Sequence, residues 1–256
     1  MEGNSGFGLS RRTLIAGGTL AGAGLLAGIV TAKDASAPQP AAPVQPITPT
    51  AAQIPVAFLM DDGITMIDFA GPWEVFQDAW NGNTPRFSLF TVASAKGELQ
   101  TTGNMSGGSD SMRMTGLKYR ADYTFQDAPQ PKVIVIGAQA HGANPAKAEW
   151  IRRAAAEADV VMSVCTGAFV LANTGLLDGL SATTHHNSYG AFARRFPQVN
   201  LVRGTRFVDN GKFITAGGLT SGIDTALHVV NRYFGSSDTQ QVAEYMEYRG
   251  TGWRSA

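Results

Sequence analysis

Three short runs in this chain are apolar but for one serine: Pro55-Val-Ala-Phe-Leu-Met60, Val133-Ile-Val-Ile136 and Val160-Val-Met-Ser-Val164. None is long enough for a buried helix, and none alternates with polar residues as a half-exposed strand would. Such runs read as strands covered on both faces, the pattern of a parallel sheet with a helix layer on each side. Helical segments lie between them: one opened by Gly71-Pro72-Trp73-Glu74, with proline at its first position, another over Ala146–Ala158, and another over Gly167–Asn173 closed by Gly175. Phe87–Val92 reads as a further strand, and Asp209-Asn210-Gly211 as the turn of a hairpin joining Thr205–Val208 to Lys212–Thr215. Thr220–Phe234 and Thr239–Tyr248 have helical spacing. The expectation is a three-layer α/β/α sandwich with a mostly parallel sheet, whose chemistry sits at the carboxyl ends of the strands.

The first fifty residues do not belong to that sandwich. Ser10-Arg11-Arg12-Thr13 stands directly before an uncharged run from Thr13 to Ala32 that holds five glycines and three threonines. A charged start, a weakly apolar middle and the small residues Ala35-Ser36-Ala37 resemble a twin-arginine export signal over residues 1–37. An uncleaved membrane anchor is the other reading, because about 20 residues can cross a bilayer and Pro38 would hinder cleavage after Ala37. Residues 38–53, rich in proline and alanine, read as a linker, and residues 54–256 as the folded domain. A periplasmic or secreted location follows from the export reading, with a membrane as partner only if the segment is retained.

Charge removes other classes. Twenty Lys and Arg balance twenty Asp and Glu, so no basic field exists to hold nucleic acid. The single cysteine excludes an internal disulfide framework and a cysteine-cluster metal site. Adjacent His185 and His186, placed on a strand, would point to opposite faces, and His141 and His228 have no partner at ligand spacing, so no metal site is expected. Gly103–Gly108 lacks the Lys-Ser/Thr ending of a phosphate loop, and no cofactor is expected.

The chemistry converges on Cys165. It follows a strand directly and precedes the helix opened by Thr166-Gly167-Ala168-Phe169, the layout that exposes a nucleophile on a sharp turn. The free N–H groups of that helix would favour the thiolate. The alternative is a small buried hydrophobe, the commonest role of a free cysteine.

The block Ser163-Val-Cys-Thr-Gly-Ala-Phe-Val-Leu-Ala172, with Gly175-Leu-Leu-Asp-Gly179 and Ala182-Thr-Thr-His185, resembles the ThiJ/PfpI superfamily. Asp68-Phe-Ala-Gly-Pro-Trp-Glu-Val-Phe76 and Gly217-Gly-Leu-Thr-Ser-Gly-Ile-Asp224 add to the resemblance, which spans residues 54 to 235. The branch it resembles contains isocyanide hydratases and the ligand-sensing domains of AraC-type regulators. The resemblance implies a flavodoxin-like fold and a homodimer. It makes Cys165 the nucleophile, Asp68 an acid facing it with a pKa raised by like charge, and Thr166 the residue whose N–H and hydroxyl serve the site in hydratases. It places Gly137 and Ala138 at the substrate wall, though a Pro-Gly-Gly usual there is replaced by Gly137-Ala138-Gln139, and it places His185 close to the pocket. Asp61-Asp62-Gly63 also departs from the pattern; two carboxylates there would select a cationic ligand or be ordinary loop residues. Hydration of a small-molecule isocyanide to an N-formamide is the expected function. A non-catalytic sensing module, 2-oxoaldehyde chemistry and peroxide sensing are the alternatives.

Overall fold

The computed structural model describes residues 45–102 and 116–254. The segment read as an export signal, residues 38–44 of the linker and the Gly103–Gly108 stretch lie outside them. Seven strands form the central sheet: β1 (Ile54–Leu59), β2 (Phe87–Ala93), β3 (Tyr123–Thr124), β4 (Val133–Ile136), β5 (Val160–Ser163), β6 (Phe207–Asp209) and β7 (Phe213–Ala216). Their spatial order is β6-β7-β5-β4-β1-β2-β3. Every pairing is parallel except β6 with β7, the hairpin that turns at Gly211 with φ +83°. The three apolar runs are neighbours at the centre, with Leu59 opposite Ile136 and Ile136 opposite Ser163.

Alternation along each central strand divides the core in two. Val56 and Phe58 face one layer with Val135 and Met162, under α1 (Met66–Gln77) and α5 (Ser221–Tyr245). Ala57 and Leu59 face the other with Ile134 and Ile136, under α2 (Pro145–Glu157), α3 (Gly167–Ala172) and α4 (Tyr189–Arg195). Both faces are buried, which is why these strands carry no polar alternation.

One element differs from the sequence reading. α1 begins at Met66, so Pro72 lies inside the helix and Asp68 in its first turn rather than ahead of it. Tertiary packing overrides the local signal here: a Cβ on Gly71 would lie 2.9 Å from Ile223 Cγ1, and one on Gly222 3.2 Å from Pro72 Cγ. The Gly71-Pro72 pair thus gives α1 a close approach to α5, at the cost of one helical hydrogen bond. The two predicted C-terminal helices are both present within the span α5, the chain leaving helical geometry between them at Gly235 with φ 82° and ψ 172°. Residues of the predicted linker touch the domain: Arg232 Nε donates to Gln45 O, Ile47 N donates to Arg232 O, and Gln53 Nε2 donates to Pro85 O.

Gly167 fixes how closely α3 meets the sheet. A Cβ there would stand 2.1 Å from the carbonyl oxygen of Ile136, a backbone atom that cannot swing away. Gly167→Ala is expected to cost about 3 kcal/mol, the upper range for overpacking, read as a lower denaturant midpoint at unchanged slope.

Candidate active site

The sheet brings three chain segments to one edge. The carboxyl ends of β1, β4 and β5 lead respectively into the loop before α1, into Gly137-Ala138, and into Cys165. The chain turns sharply at Cys165, which sits at φ 59°, in the left-handed region. Val164 N donates to Ile136 O at 2.9 Å and Cys165 N to Gly217 O at 2.7 Å, so flanking strands hold the turn from both sides. Thr184 Oγ1 donates to Cys165 O at 2.9 Å. A left-handed non-glycine residue costs about 1–2 kcal/mol, so Cys165→Gly is expected to be about 1 kcal/mol more stable than Cys165→Ala in chemical denaturation.

Asp68 is fully buried. Its Oδ2 accepts from Ala138 N at 2.9 Å, while Thr65 N donates to Ala138 O at 2.8 Å. This reciprocal pair clips the start of α1 to the loop after β4. Ala138 therefore gives its N–H to Asp68 and not to a substrate, and Gly137 is packed against Asp68, with Cβ space of 3.0 Å. The Cys165 thiol is the other group within reach of the carboxyl, whose Oδ1 has no partner of ordinary geometry.

Electrostatics reverse one expectation. Burial raises the Asp68 carboxyl from 3.8 to about 7, against the pull of the Ala138 N–H and the Cys165 thiol. Its cause is desolvation rather than like charge. Cys165 is pushed up to about 12, by burial first and by the Asp68 charge second. The N–H groups of Thr166 and Leu219 pull the other way and do not prevail. The resting group is thus a thiol, not a thiolate, because Cys165 is only 2% exposed and faces a carboxylate while α3 is a six-residue helix. At neutral pH the sulfur keeps its proton while the carboxyl is present in both its forms, which suits a step in which thiol and acid trade a proton.

Thr166 is nearly buried at the start of α3 and supplies its N–H to the sulfur. Leu219 does the same from the opposite wall, at φ 54° and with its side chain 41% exposed. Sequence reasoning quoted Gly217-Gly-Leu-Thr as a motif without giving Leu219 a role; a backbone donor leaves no mark on residue type. His185 lies at this wall: a Cβ on Gly218 would stand 2.2 Å from His185 Cδ2. It is on no strand, but caps the short helix His186–Ser188, and its ring stacks on His186 at 4.3 Å. The two histidines therefore share a face, contrary to the strand-based expectation. Among the described residues no three His, Cys, Asp or Glu side chains converge to hold a metal ion.

Asp61 and Asp62 are loop anchors. Asp61 pairs with the buried Lys147 at 2.7 Å and accepts from Ser94 N, and Asp62 accepts from Gln100 N at 3.0 Å. A cavity of about 470 Å³ lined by Ala140, His141, Asn144 and Arg152 does not include Cys165 or Asp68.

With this geometry in hand, comparison with known proteins decides the family. The DJ-1/PfpI family model matches residues 55–232, which contain every residue of the site. The chain belongs to the DJ-1/PfpI family. It is 31% identical over 199 residues to an isonitrile hydratase of Pseudomonas putida, covering 75% of this chain and 78% of that protein. It is 25% identical over 182 residues to a helix-turn-helix transcriptional regulator of Pseudomonas aeruginosa, of whose length the match covers 54%. Among solved structures, a ThiJ/PfpI family protein of Pseudomonas syringae aligns with a TM-score of 0.64 at 24% identity, over 77% of this chain and 76% of that one. DJ-1/PfpI membership accounts for the parallel sheet and the elbow together.

Proposed function

We propose that this protein hydrates an isocyanide to an N-formamide, with Cys165 as nucleophile and Asp68 as proton carrier. The observation that carries the reading is the buried Asp68, fixed through Oδ2 by Ala138 N–H, facing a neutral Cys165 thiol on a strained elbow. Likeness to the Pseudomonas putida isonitrile hydratase supports it.

An isocyanide needs no pre-formed thiolate. Its terminal carbon takes both a nucleophile and a proton, so the thiol adds as a whole: sulfur bonds to that carbon and the thiol proton passes through Asp68 to the same carbon. The product is a thioimidate, R–N=CH–S–Cys165. Water then adds to the carbon; one of its protons goes to nitrogen and the other stays on the oxygen. Collapse breaks the C–S bond, the hydroxyl proton returns through Asp68 to sulfur, and R–NH–CHO leaves with the thiol restored. A carboxyl with a pKa of about 7 exists in both forms at neutral pH and can carry each proton. The N–H groups of Thr166 and Leu219 meet the sulfur when it carries charge on leaving.

The test is incubation of the purified chain with an aliphatic isocyanide, following N-formamide by proton NMR. Formamide above the enzyme-free control is expected, and its absence across aliphatic and aromatic isocyanides rejects the reading. The regulator relatives favour a second reading, a ligand-binding module. Thermal stabilisation by an isocyanide recovered unchanged would establish that one instead. Export through residues 1–37 and a homodimeric state belong to the proposal; cell fractionation and sedimentation test them.

A further inference from the structure

Leu219 raises a physical question that its own side chain does not answer. A non-glycine residue at φ 54° is strained and needs neighbours that over-determine it. Its side chain is 41% exposed, so burial of the leucine does not hold it there. On the C-terminal side the turn is tied by Ser221 N to Gly218 O at 3.1 Å and Gly222 N to Leu219 O at 3.0 Å. On the N-terminal side Gly217 accepts from Cys165 N. Between them stands Gly218, and what covers it is the edge of the His185 ring, with Cδ2 2.2 Å and Nε2 3.0 Å from where a Cβ would be.

The ring is itself fixed. Nδ1 accepts from Asn187 N at 3.3 Å, which leaves the proton of the neutral imidazole on Nε2. The opposite constraint is the stack on His186, with planes inclined by 29°. Burial, with the neighbouring His186 second, lowers the His185 pKa, which keeps the ring neutral and its Nδ1 an acceptor at neutral pH.

We infer that His185 is a positioning residue, whose ring clamps Gly218 and so holds the Leu219 N–H on the Cys165 sulfur. This rests on Cys165 as the reacting group and not on the identity of the substrate. In this role His185 acts on the sulfur through the backbone of Gly218 and Leu219.

Two measurements on the resting protein test it, neither of which needs turnover. Amide hydrogen exchange is followed for the peptide covering residues 217–220. The S–H stretching band is recorded by infrared difference against Cys165→Ser, and it is unambiguous because the chain has one cysteine. In His185→Ala, exchange of the peptide is expected to quicken by ~10-fold or more as the turn opens locally. The S–H band shifts as the Leu219 donor leaves. His185→Phe, which keeps a ring edge over Gly218, stays near wild type in both. Gly218→Ala should disturb the same two signals by striking the ring, and Gly218→Ala combined with His185→Ala should relieve that clash. If His185→Ala does not fold, His185→Asn retains an acceptor in place of Nδ1 without the full ring edge and is read the same way. Unchanged exchange and an unmoved S–H band in the alanine or asparagine variant overturn the inference. Failure to make N-formamide would reject the hydratase reading and leave these signals as they are.

Discussion

Isocyanide turnover is expected to fall to the uncatalysed level in Cys165→Ala, a loss on the order of 10⁴-fold or more. The reason is that every other part of the site serves the sulfur. In the proposed reaction Asp68 carries a proton to and from it, and the N–H groups of Thr166 and Leu219 face it. Removing the sulfur leaves these groups with no covalent intermediate to stabilise. The fold should survive, since alanine accepts the same strained turn and loses only the buried sulfur. Steady-state formation of N-formamide, with circular dichroism as the folding control, is the measurement. Retention of a tenth or more of the activity would show that water attacks directly and that Cys165 is a bystander.

Asp68→Asn should separate reactivity from catalysis. An amide cannot carry the proton, so turnover is expected to drop by about 10³-fold, within the usual range for a general acid–base group. The thiol should nevertheless become more reactive toward iodoacetamide, because the Asp68 charge stands second only to burial in pushing Cys165 up to about 12. A stability signature accompanies this. Asp68 titrates at 3.8 in an unfolded chain and at about 7 in the folded one, so the folded state holds the extra proton between those values. Wild-type stability from this group is therefore complete below about pH 4, declines as pH rises to 7, and stays low above. Bearing the carboxylate costs up to about 4 kcal/mol there. The asparagine variant lacks that decline and should be the more stable protein at pH 8. Thermal melts of both proteins from pH 4 to 8 check it. Parallel pH dependences would mean that Asp68 is solvated and ionised throughout, and slower alkylation in Asp68→Asn would mean that it activates the thiol as a base.

The division between sequence and tertiary structure runs along the range of the interactions. The three apolar runs dictated central strands because a strand buried on both faces has no solvent-facing row to alternate with polar residues, and this is written in consecutive residues. The elbow was legible for the same reason: β5, Cys165 and the glycine-led α3 follow one another without a gap. The turn at Gly211 and the break at Gly235, with φ of 83° and 82°, were local signals too. The start of α1 was not, because the Gly71-Pro72 pair answers to α5, packed against it from far along the chain. Nor was the state of the thiol. Sequence shows a helix N-terminus beside Cys165 and predicts a thiolate; depth of burial and the approach of a carboxylate from another element decide for the thiol, and both are properties of the packed molecule. Asp61 likewise met its partner Lys147 only when the loop before α1 folded against α2. Neighbours in the chain set the sheet and the turn that carries Cys165, so both could be read from consecutive residues. Only the folded molecule decides that the sulfur keeps its proton and that His185 lies over Gly218, because desolvation and contact depend on residues that folding brings together.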